Sequence, residues 1–214
     1  PRNVPVTLKM RTGWCQQHKN AVPLARRFEA AGIQMLTVHG RTREQGYKGE
    51  AEYDTIAAVK AAVRVPVVAN GDITSPEKAR AVLAATGADA LMVGRAAQGR
   101  PWIFREIGHY LATGEHLAPP LVAEVQRLLL DHLQDHYQLY GEATGVRSAR
   151  KHIAWYVRAL PGGEALRQHI NTIEDCAAQW QAVQAYFAAL GQRMDRLPAT
   201  AAATLHEEQE GFCA

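Results

Sequence analysis

Four short stretches each place chemistry-bearing side chains at the end of an apolar run. VTLKMR ends on Lys9 and Arg11, MLTVHGR on His39 and Arg41, VPVVANGD on Asn70, Gly71 and Asp72, and DALMVGR on Gly94 and Arg95. Two of these, in succession, suit a phosphate. Gly94-Arg95-Ala96-Ala97 is small enough for backbone N–H groups to approach an anion, a short helix starting there would direct its positive end at it, and Arg95 adds a formal charge. Gly71 permits a close backbone approach beside Asn70 and Asp72. Either stretch alone reads equally well as a tight turn or a loop; the two in this order point to an anion. Lys9 stands inside an apolar strand, either snorkelling outward or facing the mouth of the fold as a cation. His39 can hydrogen-bond a phosphate or a substrate, and reads equally as a surface histidine at a strand end.

The elements that must position these groups alternate. Strands are predicted over 4–10, 35–39, 65–69 and 89–94, helices over 20–31, 53–63 and 76–86, and a polar loop over 41–52. Ser75-Pro76 has the form of an N-cap with proline in the first turn, and Gly87 is the stop. Strand followed by helix, repeated, is a parallel α/β pattern. A (β/α)8 TIM barrel carries its active site at the carboxyl ends of its strands. A flavodoxin-like sheet also binds ligands there, but four polar strand ends in sequence fit a ring of contributors better than one crevice. Barrel phosphate sites commonly follow strands 7 and 8, so the register makes these strands 5–8 and puts strands 1–4 upstream of Pro1. The chain opens on Pro1, not Met, which carries the same expectation of a fragment. The C-terminal half of a barrel would expose open sheet edges, so the chain alone is expected to be poorly soluble or to dimerise. A monodisperse soluble monomer in light scattering would contradict that.

After Pro101 the pattern turns helical. WIFREIGHYLATG ends at Gly114, and Pro119-Pro120 punctuates the chain. Leu121, Val125, Leu128, Leu129 and Leu133 form one apolar stripe. Ile153, Tyr156, Val157 and Leu160 form a second, and Ile173, Ala177, Trp180, Val183 and Phe187 a third. The expected organisation is a partial barrel over 1–114, an all-α helical bundle over 115–195 and a disordered tail over 196–214. The net charge is +3 with a pI of about 8.9, compatible with RNA. No apolar run approaches the roughly 18 residues of a membrane helix, and PRNVPVTLKM lacks the charged start and apolar core of a signal peptide. Cys15, Cys176 and Cys213 are scattered without CxxC spacing, which argues against a disulfide scaffold or a zinc site and suits a reducing cytosol. Arg147, Arg150 and Lys151 fall at i, i+3 and i+4 on one helical face, with Arg158 beyond them and Arg167 after the Pro-Gly-Gly break. They read as a solvated basic face or as contacts to a polyanion, and Arg41 and Arg43 are further candidates.

KMRTGW (9–14), TVHGRTREQGYKGEAEYD (37–54), VVANGDI (67–73) and MVGRAAQGRPWIF (92–104) together resemble the tRNA-dihydrouridine synthases, the bacterial DusB-type branch in particular. The resemblance spans about residues 4 to 190 and includes RSARKHIAWY (147–156) of that family's tRNA-binding domain. It implies an FMN enzyme that uses NADPH to reduce the C5–C6 bond of uridine in tRNA; the expected protein is cytoplasmic, monomeric at full length and without a metal. It implies Lys9 on the flavin ring, His39 near the phosphate, and Asn70, Gly71, Asp72, Gly94 and Arg95 around the ribityl phosphate. With tRNA as substrate, the basic residues Arg41, Arg43, Arg147, Arg150, Lys151 and Arg158 become the candidate tRNA contacts. The family's catalytic cysteine sits in an Asn-x-Gly-Cys-Pro motif upstream of the strand holding Lys9. That motif is absent from these residues, and Cys15, Cys176 and Cys213 do not match it. The chain therefore resembles the C-terminal two-thirds of such an enzyme without its general acid, and is expected to be inactive alone. Tyr53 stands where the family has Trp. Two other readings remain: an FMN barrel that reduces a small molecule, against which the basic helical region counts, and a non-catalytic RNA- or flavin-binding protein.

Overall fold

The computed structural model describes residues 4–198. They form two compact units, one of residues 4–96 and 103–116, the other of residues 97–102 and 117–198. In the first, β1 (Thr7–Arg11), α1 (Ala21–Ala30), β2 (Met35–His39), α2 (Asp54–Ala62), β3 (Val67–Asn70), α3 (Pro76–Thr86), β4 (Ala90–Met92) and α4 (Ile103–Thr113) follow one another in sequence. All strand pairs are parallel and the sheet order is β1-β2-β3-β4. No strand order reverses, so these strands contain no switch-point crevice of the doubly wound kind.

Local chemistry explains the boundaries. The Lys78 N–H donates to Ser75 Oγ at 3.2 Å, Pro76 opens α3, and Gly87 closes it at φ +62°. β1 starts later than its apolar pattern suggests, because the ladder to β2 begins at the Thr7–Met35 pair; Val4 and Val6 precede it and are about 60% exposed. β2 and β3 are buried almost throughout, as strands covered on both faces should be. β1 and β4, at the two ends of the sheet, are only partly covered among the described residues.

The second unit is all-helical: α5 (Val122–Tyr140), α6 (Glu142–Val157), α7 (Gly163–Ile170) and α8 (Cys176–Gly191). Val125, Leu129, Leu133, Ile153, Val157, Ile170, Val183 and Phe187 fill its core. Several expected core positions differ: Ala177 is exposed, and Leu128 and Ile173 are half-buried. Leu121 is the non-helical residue before α5 and faces solvent, while Val122 is buried. On α8 the buried position is Gln179, which donates from Nε2 to the Val146 carbonyl at 3.2 Å and accepts from the Tyr137 hydroxyl at 2.7 Å. Trp180 is half-buried. Segment 97–102, expected with the α/β part, packs in the helical unit: Gly99 (φ +74°) lies so close to the Trp155 carbonyl that any Cβ would collide with it. Packing also reaches into the expected tail. Leu197 is buried, its N–H donates to the Pro120 carbonyl at 3.0 Å, and Arg196 bridges to Leu121. The rest of that tail, 199–214, lies outside the described residues.

Candidate functional site

Parallel register aligns the polar strand ends. Arg11 pairs with His39, His39 with Asn70, and Asn70 with Met92, so a single row crosses all four strands at their carboxyl ends. Lys9 lies two residues behind Arg11 on the same face of β1.

Much of this row is committed to the fold itself. Arg41 is 2% exposed. Its Nη1 and Nη2 donate to the two carboxylate oxygens of Asp72 at 2.9 and 2.8 Å, and its Nε donates to the Gly49 and Lys48 carbonyls at 3.1 and 3.3 Å. The Ala51 N–H donates to Asp72 at 2.8 Å and Arg95 Nη2 lies 3.4 Å from it. Burial opposes the Asp72 charge, but the Ala51 N–H and the Arg41 guanidinium prevail and hold its carboxyl below the ordinary range. Asp72 takes up its pose at φ +47°. Asn70 Nδ2 donates to the Met92 carbonyl at 2.8 Å, tying β3 to β4. Gly71 (φ +129°) is buried, accepts from the Tyr53 hydroxyl at 2.8 Å, and would carry a Cβ 2.7 Å from the Ala51 methyl. The Asn-Gly-Asp turn therefore clamps the loop after β2 against β3.

This packing bears on two expectations. Arg41, expected at RNA, is buried and its guanidinium is filled by an acid and carbonyls. Asp72, expected at a phosphate, has its carboxylate bound to Arg41.

What stays open is narrower. Lys9 is exposed and, among the described residues, has no hydrogen bond or ion pair; partial burial, then Arg11, lower its pKa. Gly94 is exposed, and a Cβ there would meet nothing within 4 Å. Arg95 is part-exposed, its Cζ 5.0 Å from the Tyr47 ring centroid, with Arg11 Cζ 5.9 Å from the same ring. Arg11 also donates to the Thr42 and Gly46 carbonyls at 2.8 Å each, so two arginines brace this loop. Tyr47 was not legible as a site residue; only its place in the REQGYKG block marked it.

His39 is 9% exposed, and its Nδ1 accepts the Arg41 N–H at 3.2 Å. Burial first, then the charges of Arg11, Lys9 and Arg41, push its pKa down to about 4 from 6.5. The imidazole is neutral at pH 7 and carries its proton on Nε2, a donor. The unfolded chain binds a proton at His39 that the folded chain refuses, so stability is full above about pH 6.5 and falls as pH drops toward 4. The urea midpoint is expected to fall between pH 7 and pH 5, and His39→Gln to flatten that fall. A midpoint of the native chain that is flat over the interval would contradict a neutral buried imidazole.

In the helical unit the shared basic face divides by burial. Arg147 is exposed, 3.7 Å from Glu174, and Lys151 is exposed with Nζ 5.9 Å from the Trp155 ring. Arg150 turns inward and donates to the Ile173 carbonyl at 2.9 Å, and Arg158 is half-buried. Arg150, expected among the RNA contacts, is thus a strut between α6 and the turn after α7. Arg43 is exposed in the loop after β2.

A parallel α/β unit with its polar groups gathered at the carboxyl ends of its strands belongs to the class that binds small ligands there. The dihydrouridine synthase (Dus) family profile matches residues 2–191, and the chain belongs to that family. It is 58% identical over 193 residues to tRNA-dihydrouridine synthase B of Pseudomonas putida, covering 90% of this chain and 57% of the relative. It is 59% identical over 186 residues to that of Pseudomonas aeruginosa, covering 87% of this chain and 56% of the relative. The enzyme of the same name from Salmonella typhimurium is 58% identical over 185 residues, covering 86% of this chain and 58% of the relative. The chain thus spans somewhat more than half the length of the curated relatives it matches. Among the described residues no helix is long and apolar enough to cross a membrane.

Proposed function

We propose that this chain is the C-terminal part of a cytoplasmic enzyme that reduces the C5–C6 bond of uridine in tRNA to dihydrouridine, with FMN as resident cofactor and NADPH as reductant. The observation that carries this reading is the 58–59% identity to synthases of that name over most of the chain. The sequential order of four parallel strands supports their reading as strands 5–8 of a (β/α)8 barrel.

The open groups fit an anionic flavin nucleotide: Lys9 is a cation at the strand mouth, unpaired among the described residues, Gly94 leaves its backbone accessible, and Arg95 is part-exposed. FMN held there and reduced by NADPH would supply the hydride that adds to C6 of uracil. Lys9 holds a positive charge where the flavin ring gains or loses negative charge, a preorganised electrostatic role. Neutral His39 offers its Nε2 proton as a hydrogen-bond donor to phosphate or substrate without adding charge. The Gly94 backbone and Arg95 would hold its ribityl phosphate. Asn70, Gly71 and Asp72 support that site indirectly, by fixing the loop that carries Tyr47 beneath Arg95. The acid that protonates C5 would be the cysteine of an Asn-x-Gly-Cys-Pro motif, which is not among these residues. Reading the coding frame upstream of Pro1 tests the assignment. About four more strand–helix units and an Asn-x-Gly-Cys-Pro motif are expected. A frame that closes immediately before Pro1 would contradict it.

The helical unit is the tRNA-docking part, with Arg147 and Lys151 as phosphate contacts and Arg43 as a contact from the loop after β2. Replacing Arg147 and Lys151 together by alanine in the whole protein is expected to weaken tRNA binding and to reduce the salt slope of log K by roughly 1–2. An unchanged slope would make both residues a solvated face.

A further inference from the structure

We propose that the helical unit contains a binding site for a borderline divalent cation such as Zn2+, formed by His132, His136 and His152. One ring nitrogen from each lies within 4.8 Å of the others, and no other such group of ligating side chains occurs among the described residues. The site is built from two elements. His132 and His136 stand at i and i+4 on one face of α5, and His152 comes from α6 packed against it. The His132–His152 and His136–His152 ring centroids are 5.0 and 5.2 Å apart.

The arrangement has an orienting shell. The Ser148 hydroxyl donates to the Thr144 carbonyl at 2.7 Å and therefore accepts from His136 Nε2, also at 2.7 Å. That fixes the His136 tautomer and leaves Nδ1 with the lone pair. Trp155 stands edge-on to His152 at 5.0 Å and limits its swing. Three imidazoles without a carboxylate suit Zn2+, Ni2+ or Cu2+ rather than Mg2+ or Ca2+. Tetrahedral Zn–N bonds of about 2.0–2.1 Å put ligand nitrogens about 3.4 Å apart, so the rings must close by up to about 1.4 Å, a side-chain rotation. Water takes the fourth position. The nearby Lys151 ammonium opposes the cation and sets a limit on affinity.

The cation would pin α5 to α6, the helix that carries Arg147 and Lys151, and would stiffen that unit. Nothing in this depends on flavin chemistry, and the site can exist whatever reaction the protein performs. The cysteine spacing that argued against zinc is irrelevant to it, because no thiol takes part.

Titrating the metal-free chain with Zn2+ in a calorimeter, and with Co2+ by visible absorption, tests the site. The expected result is one cation per chain, Co2+ d–d bands without a thiolate charge-transfer band, and equal binding when Cys15, Cys176 and Cys213 are all serine. His132→Gln and His152→Gln are each expected to weaken binding at least 10-fold, and Ser148→Ala by roughly 10-fold. Absence of saturable binding, loss of binding in the cysteine-free chain, or unchanged affinity in both histidine variants would overturn the proposal. If a variant does not fold, the native chain still decides the matter. With 15N-labelled histidine, Zn2+ must shift the ring nitrogens of three of its nine histidines, and assignment to any set other than His132, His136 and His152 refutes the site.

Discussion

Lys9→Ala in the whole protein is expected to lower the rate of dihydrouridine formation by about 100-fold or more while leaving tRNA affinity nearly unchanged. The magnitude follows from losing one preorganised charge aimed at the reacting centre. Lys9 is suited to that role because, among the described residues, it is exposed and unpaired while its neighbours Arg11 and Arg41 are bound to carbonyls and a carboxylate. Among the described residues, removing it breaks no hydrogen bond or ion pair, so the effect should fall on kcat and not on the urea midpoint. Lys9→Arg restores the charge and should recover part of the rate. A Lys9→Ala enzyme that forms dihydrouridine normally removes Lys9 from the mechanism.

Arg41→Ala is expected to act on stability, by about 3–5 kcal/mol, because it leaves the partly buried Asp72 carboxylate without its bidentate partner and several loop carbonyls without a donor. Urea unfolding measures this directly. The paired variant Arg41→Ala with Asp72→Ala should be no less stable than Arg41→Ala alone, since the uncompensated charge is then gone. Unchanged stability together with weakened tRNA binding would restore Arg41 to the RNA-binding surface and contradict the clamp.

These two residues show what the sequence can and cannot convey. Lys9 and Arg41 look alike as cations at strand ends. The difference lies in Asp72, 31 positions away from Arg41, which only the packed loop brings into reach. The elements themselves were legible because their signals are local: β-branched runs for β2 and β3, Ser75-Pro76 and Gly87 for α3. The Asn-Gly-Asp turn was visible as special, but its glycine answers to the Ala51 methyl of its own chain. An anion and an approaching loop ask the same freedom of a glycine. Helical spacing likewise grouped Arg147, Arg150 and Lys151, yet burial separates them, because one helix turn decides whether an arginine reaches solvent or the Ile173 carbonyl. His132 and His136 drew no notice in the sequence despite their i, i+4 spacing, because His152 joins them only through a fold contact that no local pattern encodes.

The most direct test is to express the whole protein containing this chain in cells that lack their own dihydrouridine synthases, and to measure dihydrouridine in total tRNA by mass spectrometry. The expected result is dihydrouridine at a defined tRNA position, absent in cells carrying the Lys9→Ala form. A folded, flavin-loaded protein that leaves tRNA without dihydrouridine would contradict the proposed reaction.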